Sequence, residues 1–200
     1  METIEQHPWN WYGAEDSKTL IIGTFPPTKR NWSFDFFYPN KRNFFWKLLS
    51  VIAGKELLHS TGAEAVTERK ALLDQLKITI TDMGKTINRK DNNSLDENLE
   101  ALAYMDILHI IDTRPSLQKI IFTSSSGKVS AAKWFLNYLE TKGIKHKFPK
   151  MPKPVKSSLN MNGRELELVI LFSPSARAAN RISFEQLTAL YRDELLYGNP

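Results

Sequence analysis

Residues 20–46 read LIIGTFPPTKRNWSFDFFYPNKRNFFW, and this stretch decides the fold. Its first three residues are apolar and are followed by Gly23, which is typical of a strand buried on both faces of a covered parallel sheet. From Asn43 onward the apolar residues recur at the spacing of one helix face. The stretch therefore predicts a strand over 19–22, a long loop over 23–42 and a helix over 43–53. Because open α/β sheets bind ligands beyond the carboxyl ends of their strands, we expect this aromatic and basic loop at the functional edge.

The same succession of strand, loop and helix continues along the chain. Ile78 and Ile80 alternate with polar residues and predict a second strand that ends near Asp82. Apolar runs predict two more strands, over 119–123 and 166–172. Apolar periodicity predicts further helices within 55–76, from Ala131 to Leu139, and over 184–196 with an N-cap at Ser183. This alternation predicts one domain over 1–200, with a three-layer α/β/α fold whose central sheet has four mostly parallel strands.

Two segments are expected to contain no strand. The residues after the second strand read GKTINRKDNNSLDENL and resemble a polar loop, in which Ser94 and Glu97 form the capping-box pattern of a new helix. That helix would carry the apolar residues Leu99, Leu102, Ala103 and Met105. Residues 145–158 read KHKFPKMPKPVKSS, and because they are basic and interrupted by prolines they predict a loop.

The composition excludes several classes of protein. The 200 residues contain no cysteine, so neither a disulfide framework nor a thiolate metal site can form, which fits a cytoplasmic location. The four histidines show no ligand spacing, and neither a metal nor another cofactor is expected. No apolar run suits a transmembrane helix, and the start METIEQHPWNWYG does not match a signal peptide, so no membrane partner is expected. The net charge of +5 is compatible with a nucleic-acid partner without being diagnostic of one.

Each predicted strand is followed by a loop with a short motif. In chain order these are GTFPP with NKRNFFW (23–27 and 40–46), TDMGK with SLDEN (81–85 and 94–98), SSSGK (124–128) and SPSAR (173–177). In this order they resemble the uracil-DNA glycosylase superfamily. The chain is most similar to the hypoxanthine/uracil-DNA glycosylase branch, whose first motif pairs GSxPG or GTxPS with HPRNxFW. The resemblance covers most of the chain, since RISFEQLTALYRDEL (181–195) is similar to the helix that follows the last motif in mismatch-specific relatives.

The resemblance implies two catalytic candidates. Asn43 stands at the position of the family's catalytic Asn, where an amide would position the attacking water. Asn is also a favoured helix N-cap, which is the commoner role for an Asn at this spacing, and the two roles are compatible. Asp82 would lie at the same edge of the sheet, where it could bond the base edge or the water, or instead cap the next turn.

The resemblance also implies residues that contact the substrate. Gly23, with Thr24, Phe25 and Pro26, would shape the pocket wall, and Tyr38 would stack on the base. Ser126 occupies the place of the amide-bearing Asn in the family's FNGK turn, and Ser173 and Ser175 belong to the last motif. The DNA-binding candidates are Arg42, Lys128 and Arg177, with the lysines of 145–156 along the DNA backbone. The structural alternatives are core filling for the aromatic residues, capping for the serines and solvated surface charge for the cations.

The expected function is that of a monofunctional DNA glycosylase. It would flip a deaminated base, hypoxanthine or uracil, out of DNA and hydrolyse its N-glycosidic bond in base-excision repair. The partner would be DNA containing such a base, and the protein would act as a monomer without a metal or cofactor. Two alternatives remain open, a catalytically silent nucleic-acid-binding module of the same fold and a hydrolase of free nucleosides or nucleotides.

Overall fold

The computed structural model describes residues 2–90, 95–125, 127–176 and 181–197. Its strands in chain order are β1 (Thr3–Gln6), β2 (Thr19–Gly23), β3 (Ile78–Asp82), β4 (Gly84–Arg89), β5 (Leu99–Tyr104), β6 (Lys119–Phe122), β7 (Val155–Met161) and β8 (Arg164–Ile170). Its α-helices are α1 (Phe45–Ala53), α2 (Gly62–Gln75), α3 (Ile107–Thr113), α4 (Ala131–Thr141) and α5 (Phe184–Arg192). None of the helices within the described ranges is long and apolar enough to cross a membrane.

The central sheet has five strands in the order β3-β2-β6-β8-β7. The first four run parallel, with Thr19 opposite both Ile78 and Lys119, and Lys119 opposite Glu167. These are the four strands that the sequence predicts, and they confirm the mixed α/β fold. The predicted strand count is wrong, however, because β7 adds a fifth strand that pairs antiparallel with β8.

Helices cover both faces of this sheet. Alternate side chains of each strand point to opposite faces, so Leu20 and Ile22 pack toward α3 and α4 while Ile21 packs toward α1, α2 and α5. Each face buries a separate apolar cluster. Burial on both faces explains why β2, β3 and β6 are apolar or β-branched almost throughout.

The prediction of a loop over 145–158 is wrong for its last residues. β7 begins at Val155 and alternates buried and exposed residues, as an edge strand with one covered face does. Asn162 and Gly163, both with positive φ (53° and 78°), form the tight turn that joins it to β8. Asn-Gly is the most favourable pair for such a turn, so this hairpin had a local signal in the sequence.

The predicted polar loop and helix after Asp82 are also wrong. Residues from Gly84 to Arg89 form β4, and Leu99 and the residues after it form β5, both in a second antiparallel sheet of order β1-β4-β5. In β5, Leu99 is buried whereas Glu100 and Leu102 are exposed, which is the alternation of a strand that covers a core with one face. The proposed cap, Ser94, lies outside the described residues.

Arg89 joins the second sheet to the loop that follows β2. Its guanidinium is buried, with Nε 2.7 Å from Oε1 of Glu5 in β1 and Nη2 3.1 Å from Oε2 of the same side chain. Nη2 also donates to the backbone carbonyl of Pro26 at 2.9 Å. The position of β1 is therefore coupled to the loop at the carboxyl edge of the central sheet.

The amino edge of the central sheet contains a buried ion network. The Nζ atom of Lys119, which begins β6, lies 2.9 Å from Oε2 of Glu194 and 3.1 Å from a carboxylate oxygen of Glu167. It also donates to the backbone carbonyl of Glu194 at 2.9 Å. Lys156 binds the other oxygen of Glu194 at 2.6 Å. The helical turn after α5 is thus fixed to the middle strand of the sheet.

Candidate functional site

A cleft of about 920 Å³ opens at the carboxyl edge of the central sheet. The last residue of β3 and the segments that follow β2, β6 and β8 all contribute to its wall, as expected for an open α/β sheet. Of the residues predicted from the sequence, those that line it are Gly23, Thr24, Phe25, Pro26, Tyr38, Arg42, Asn43, Asp82, Lys128, Ser173 and Ser175. Ser126 and Arg177 lie outside the described residues. Their predicted roles stay predictions.

Gly23 allows two polar groups to approach the strand end closely. A Cβ atom on residue 23 would lie 2.1 Å from Oδ1 of Asp82 and 3.0 Å from the hydroxyl of Tyr38. Real Cβ atoms do not tolerate the first distance, so any other residue at position 23 would force the Asp82 carboxylate to move. The absence of a side chain at this position brings a carboxylate and a phenol together in the cleft.

The hydroxyl of Tyr38 lies near Gly23 and Asp82, and the opposite side of its ring packs on the core. The ring stacks on Phe45 at a centroid distance of 3.9 Å, and the hydroxyl lies 2.9 Å from Oγ1 of Thr123. Burial, followed by the charge of Asp82, raises the pKa of the phenol well above its usual value. The hydroxyl, which is protonated at neutral pH even with an ordinary pKa, stays so at higher pH and can donate a hydrogen bond. Its φ of 49° is uncommon for a residue other than glycine and holds the ring in this place.

The other aromatic residues of this loop belong mainly to the core. Phe36 and Phe37 are buried, and Trp46 donates its indole N–H to the carbonyl of Phe37 at 2.9 Å. Phe25 is also mostly buried but does line the cleft. Phe36 and Phe37, which the sequence also offered as candidates to stack on the base, therefore fill the core instead.

Asp82 is held by a residue that the sequence interpretation missed. Nε2 of His7, just after β1, lies 2.9 Å from Oδ2 of Asp82, and the His7 side chain is completely buried. The imidazole is enclosed by the rings of Trp9, Phe25 and Phe37 at centroid distances of 5.2–5.7 Å. No motif marks His7, and the only signal was its place in the aromatic segment HPWNWY.

Asp82 is not required to cap the turn that follows it. The N–H of Met83 donates to the carbonyl of Gly23 at 2.9 Å, and the N–H of Gly84 donates to the carbonyl of Thr24 at 3.0 Å. Since these backbone groups have partners, the carboxylate does not serve this local turn. Asp82 lines the cleft with a side chain that is 9% exposed.

Asn43 lines the cleft and stands one residue before the N-cap of α1, which is Phe44 and not Asn43 as the sequence suggested. Its Oδ1 atom nevertheless caps the first N–H of the helix, since it accepts a hydrogen bond from Phe45 at 2.9 Å. A carbonyl oxygen has a second lone pair, so this bond does not prevent it from accepting another. The N–H of Phe44 donates to the carbonyl of Pro174 at 2.9 Å, so the Asn43 segment lies against the last motif.

Hydroxyl groups connect the remaining loops. Oγ1 of Thr24 lies 3.1 Å from Oγ of Ser124, which also accepts from the N–H of Ala131 at the start of α4. Oγ of Ser173 accepts from the N–H of Ser175 at 3.2 Å. The bond between Thr24 and Ser124 fixes two loops relative to each other, and the bond between Ser173 and Ser175 shapes the last motif. The serines and the threonine thus have a structural role whether or not they contact a ligand.

The cleft wall carries charges of both signs. Within the part of the chain that the structure describes, its cations are Arg42, Lys128, Lys153 and Arg181, and its anions, besides Asp82, are Asp96 and Glu97. Burial lowers the pKa of Lys153, and the neighbouring Arg181 lowers it further. Within the described ranges no three His, Asp or Glu side chains are grouped as metal ligands would be.

The comparisons with known proteins show similarity at the level of the fold. No protein-family model matches the chain, and no curated protein matches its sequence. A solution NMR structure from Methanosarcina acetivorans, provisionally named a uracil DNA glycosylase, is similar over 95% of this chain and 98% of that chain. The TM-score is 0.56 and the sequence identity is 20%. The similarity supports the arrangement of sheet and helices and is too distant to assign residues.

Proposed function

We propose that this protein is a DNA glycosylase that hydrolyses the N-glycosidic bond of a deaminated base. The observation that carries this proposal is that Asn43 and Asp82, far apart in sequence, line one cleft at the carboxyl edge of the sheet. The similarity to a provisionally named uracil DNA glycosylase supports the same class of function.

The chemistry requires a positioned water and a bound leaving base. Glycosidic cleavage builds positive charge on the sugar, and the target base must leave the duplex stack at a cost of roughly a few kcal/mol. In our proposal the Asn43 amide positions the water. The Asp82 carboxylate accepts a hydrogen bond from the water or from an N–H of the base, and both uracil and hypoxanthine present such an N–H.

The phenol of Tyr38 and the wall cations would complete the site. The Tyr38 hydroxyl, a neutral phenol at neutral pH, can donate to a carbonyl oxygen of the base as negative charge develops there. Arg42 and Lys128 would contact DNA phosphates and fix the register of the duplex.

Base release from defined oligonucleotides tests the proposal. Duplexes and single strands that contain one uracil, hypoxanthine or xanthine are incubated with excess protein, and the abasic product is cleaved by alkali and measured. The matched control is the same oligonucleotide with the unmodified base. Product from a deaminated base alone supports the proposal and identifies the base. Product from free nucleosides only would instead show a nucleoside hydrolase.

A silent DNA-binding module is the second candidate function. The observation that favours it is the bond from Phe45 to Oδ1 of Asn43, because it gives this side chain a sufficient structural role. This candidate predicts DNA binding without base release in the same assay. Binding is then measured in parallel by fluorescence anisotropy, with and without the deaminated base.

A further inference from the structure

We propose that His7 is a positioning residue that orients the Asp82 carboxylate for the reaction. The inference rests on the proposed function, and it adds a residue that the resemblance does not assign. His7 reaches Asp82 from 75 positions earlier in the chain. It therefore brings the start of the chain into the site.

The hydrogen bond between the two side chains has one possible direction when Asp82 is ionised. A carboxylate only accepts hydrogen bonds, so Nε2 of His7 carries the proton and donates to Oδ2 at 2.9 Å. Within the described ranges, His7 is the one side chain that hydrogen-bonds this carboxylate. Oδ1, the other oxygen, lies against Gly23 in the cleft. The bond thus fixes which oxygen of Asp82 is left to face a ligand.

His7 is itself held from several directions. Its ring is enclosed by three aromatic side chains, and its Nδ1 atom lies against the carbonyl oxygen of Trp9 and 3.1 Å from the backbone nitrogen of the same residue. The N–H of His7 donates to the carbonyl of Lys85 at 2.8 Å. A completely buried ring with these contacts has one orientation. It can therefore transmit that orientation to Asp82, as the residues that orient catalytic groups do.

This arrangement is not explained by the needs of folding alone. A buried carboxylate and a buried imidazole cost free energy relative to apolar side chains of the same size. The turn after β3 does not use the carboxylate, since its N–H groups bind backbone carbonyls. The pair lies in the cleft wall, where buried polar groups can serve a ligand.

The test compares single-turnover rates of five proteins: the wild type, His7→Phe, His7→Gln, Asp82→Asn and the double variant His7→Phe/Asp82→Asn. Phe fills the aromatic enclosure without a donor, whereas Gln keeps an N–H donor. We expect His7→Phe to slow base release by roughly tenfold or more, since misplacing a reacting group by an ångström can cost ~10²-fold. DNA affinity should not change, and His7→Gln should retain more of the rate than His7→Phe.

The double variant separates positioning from general damage. If His7 acts through Asp82, His7→Phe causes no further loss of rate in the Asp82→Asn background. An equal loss in both backgrounds overturns the proposal, as does an unchanged rate in His7→Phe.

A second measurement does not depend on activity. The protein has four histidines, so the ring-nitrogen NMR signals of His7 are assigned by their loss in His7→Phe. Asp82→Asn should shift the Nε2 signal of His7, and an unchanged signal would show that the hydrogen bond is absent and overturn the proposal. If the wild type releases no base, the proposed function fails, and the NMR comparison still decides whether His7 holds Asp82.

Discussion

Asn43 combines a place in the cleft with a cap on α1, so its replacement should separate two effects. In Asn43→Ala the water loses its proposed anchor, and the single-turnover rate of base release should fall by roughly 10²-fold. The free energy of unfolding should fall by about 1 kcal/mol, because the N–H of Phe45 loses its partner. DNA affinity, measured by anisotropy, should change little.

Asn43→Ser provides the matched control, because serine caps helices about as well as asparagine but is shorter and lacks the amide. It should keep the stability of the wild type and still lose most of the rate. If Asn43→Ser keeps the rate and Asn43→Ala loses only stability, Asn43 is a cap and the catalytic assignment is wrong.

Gly23→Ala should damage the site more than the fold. The new methyl group would displace Oδ1 of Asp82, which is a side-chain atom that can move, rather than backbone. We expect the rate of base release to be lost. The free energy of unfolding should fall by only about 1–3 kcal/mol, as at other overpacked positions. Rate assays and urea unfolding measure the two effects. A Gly23→Ala protein with the wild-type rate would show that the present position of Asp82 is unimportant.

At the level of single residues, the sequence predicted which side chains share the cleft better than how they are held. The positions of Asn43 and Asp82 could be predicted, because Asn43 begins a helical apolar pattern and Asp82 ends a predicted strand. His7 could not, since its contact with Asp82 spans 75 residues and depends on the packing of three rings. Tyr38 shows the same limit, because its stacking on Phe45 follows from its left-handed backbone and not from composition.

Among the structural elements, the second sheet depends on Arg89. Arg89→Met should destabilise the protein by about 3 kcal/mol, at the lower end of the cost of breaking a buried ion pair, because the Glu5 side chain is 30% exposed. Chemical denaturation measures the loss. Since Arg89 also binds the carbonyl of Pro26, the rate of base release should fall as well.

Lys90→Met is the control for this prediction. Lys90 is the next residue along the chain and lies 3.6 Å from Glu100, but both side chains are about half exposed. Exposed pairs contribute little, so the change in unfolding free energy should stay below about 1 kcal/mol. Equal losses in the two variants would contradict a special role for Arg89.

Two of the strands that the sequence analysis missed, β4 and β7, share a physical cause. β2, β6 and the last residues of β8 are buried on both faces and appear in the sequence as apolar runs, whereas β3 is marked by the alternation of Ile78 and Ile80 with threonine. β4 and β7 are covered on one face only, so more than half of their residues are polar and the segments resemble loops. In β5 the apolar residues Leu99, Leu102 and Ala103 also fit helical spacing, and only the pairing with β4 makes the strand form.

For the whole molecule, charge around the cleft should govern DNA binding. Among the described residues, the cations that line the cleft are Arg42, Lys128, Lys153 and Arg181. About 0.9 counterion is released for each phosphate that a cation neutralises. If each cation neutralises one phosphate, a plot of log Kd against the logarithm of the salt concentration should have a slope of roughly 3 to 4. Anisotropy titrations at several salt concentrations measure it, and an affinity that is independent of salt would contradict a role on the DNA backbone.

Variants at single cations refine this prediction. Lys128→Gln should lower the slope by about one. Lys18→Gln removes a charge that precedes β2, at the opposite edge of the sheet, and should leave the slope unchanged. If both variants lower it equally, the attraction reflects net charge and not the cleft.

The ion network around Lys119 has a consequence for how the chain is synthesised. β6 is the middle strand of the central sheet, yet the main counter-charge of its first residue comes from Glu194, 75 residues later. On a ribosome, β6 emerges well before that partner does. Burying an ammonium group without it is costly, so the sheet should close only as the segment around Glu194 emerges. The sheet would then form only after this segment has been translated. Chains that stop earlier would remain incompletely folded and therefore susceptible to proteolysis.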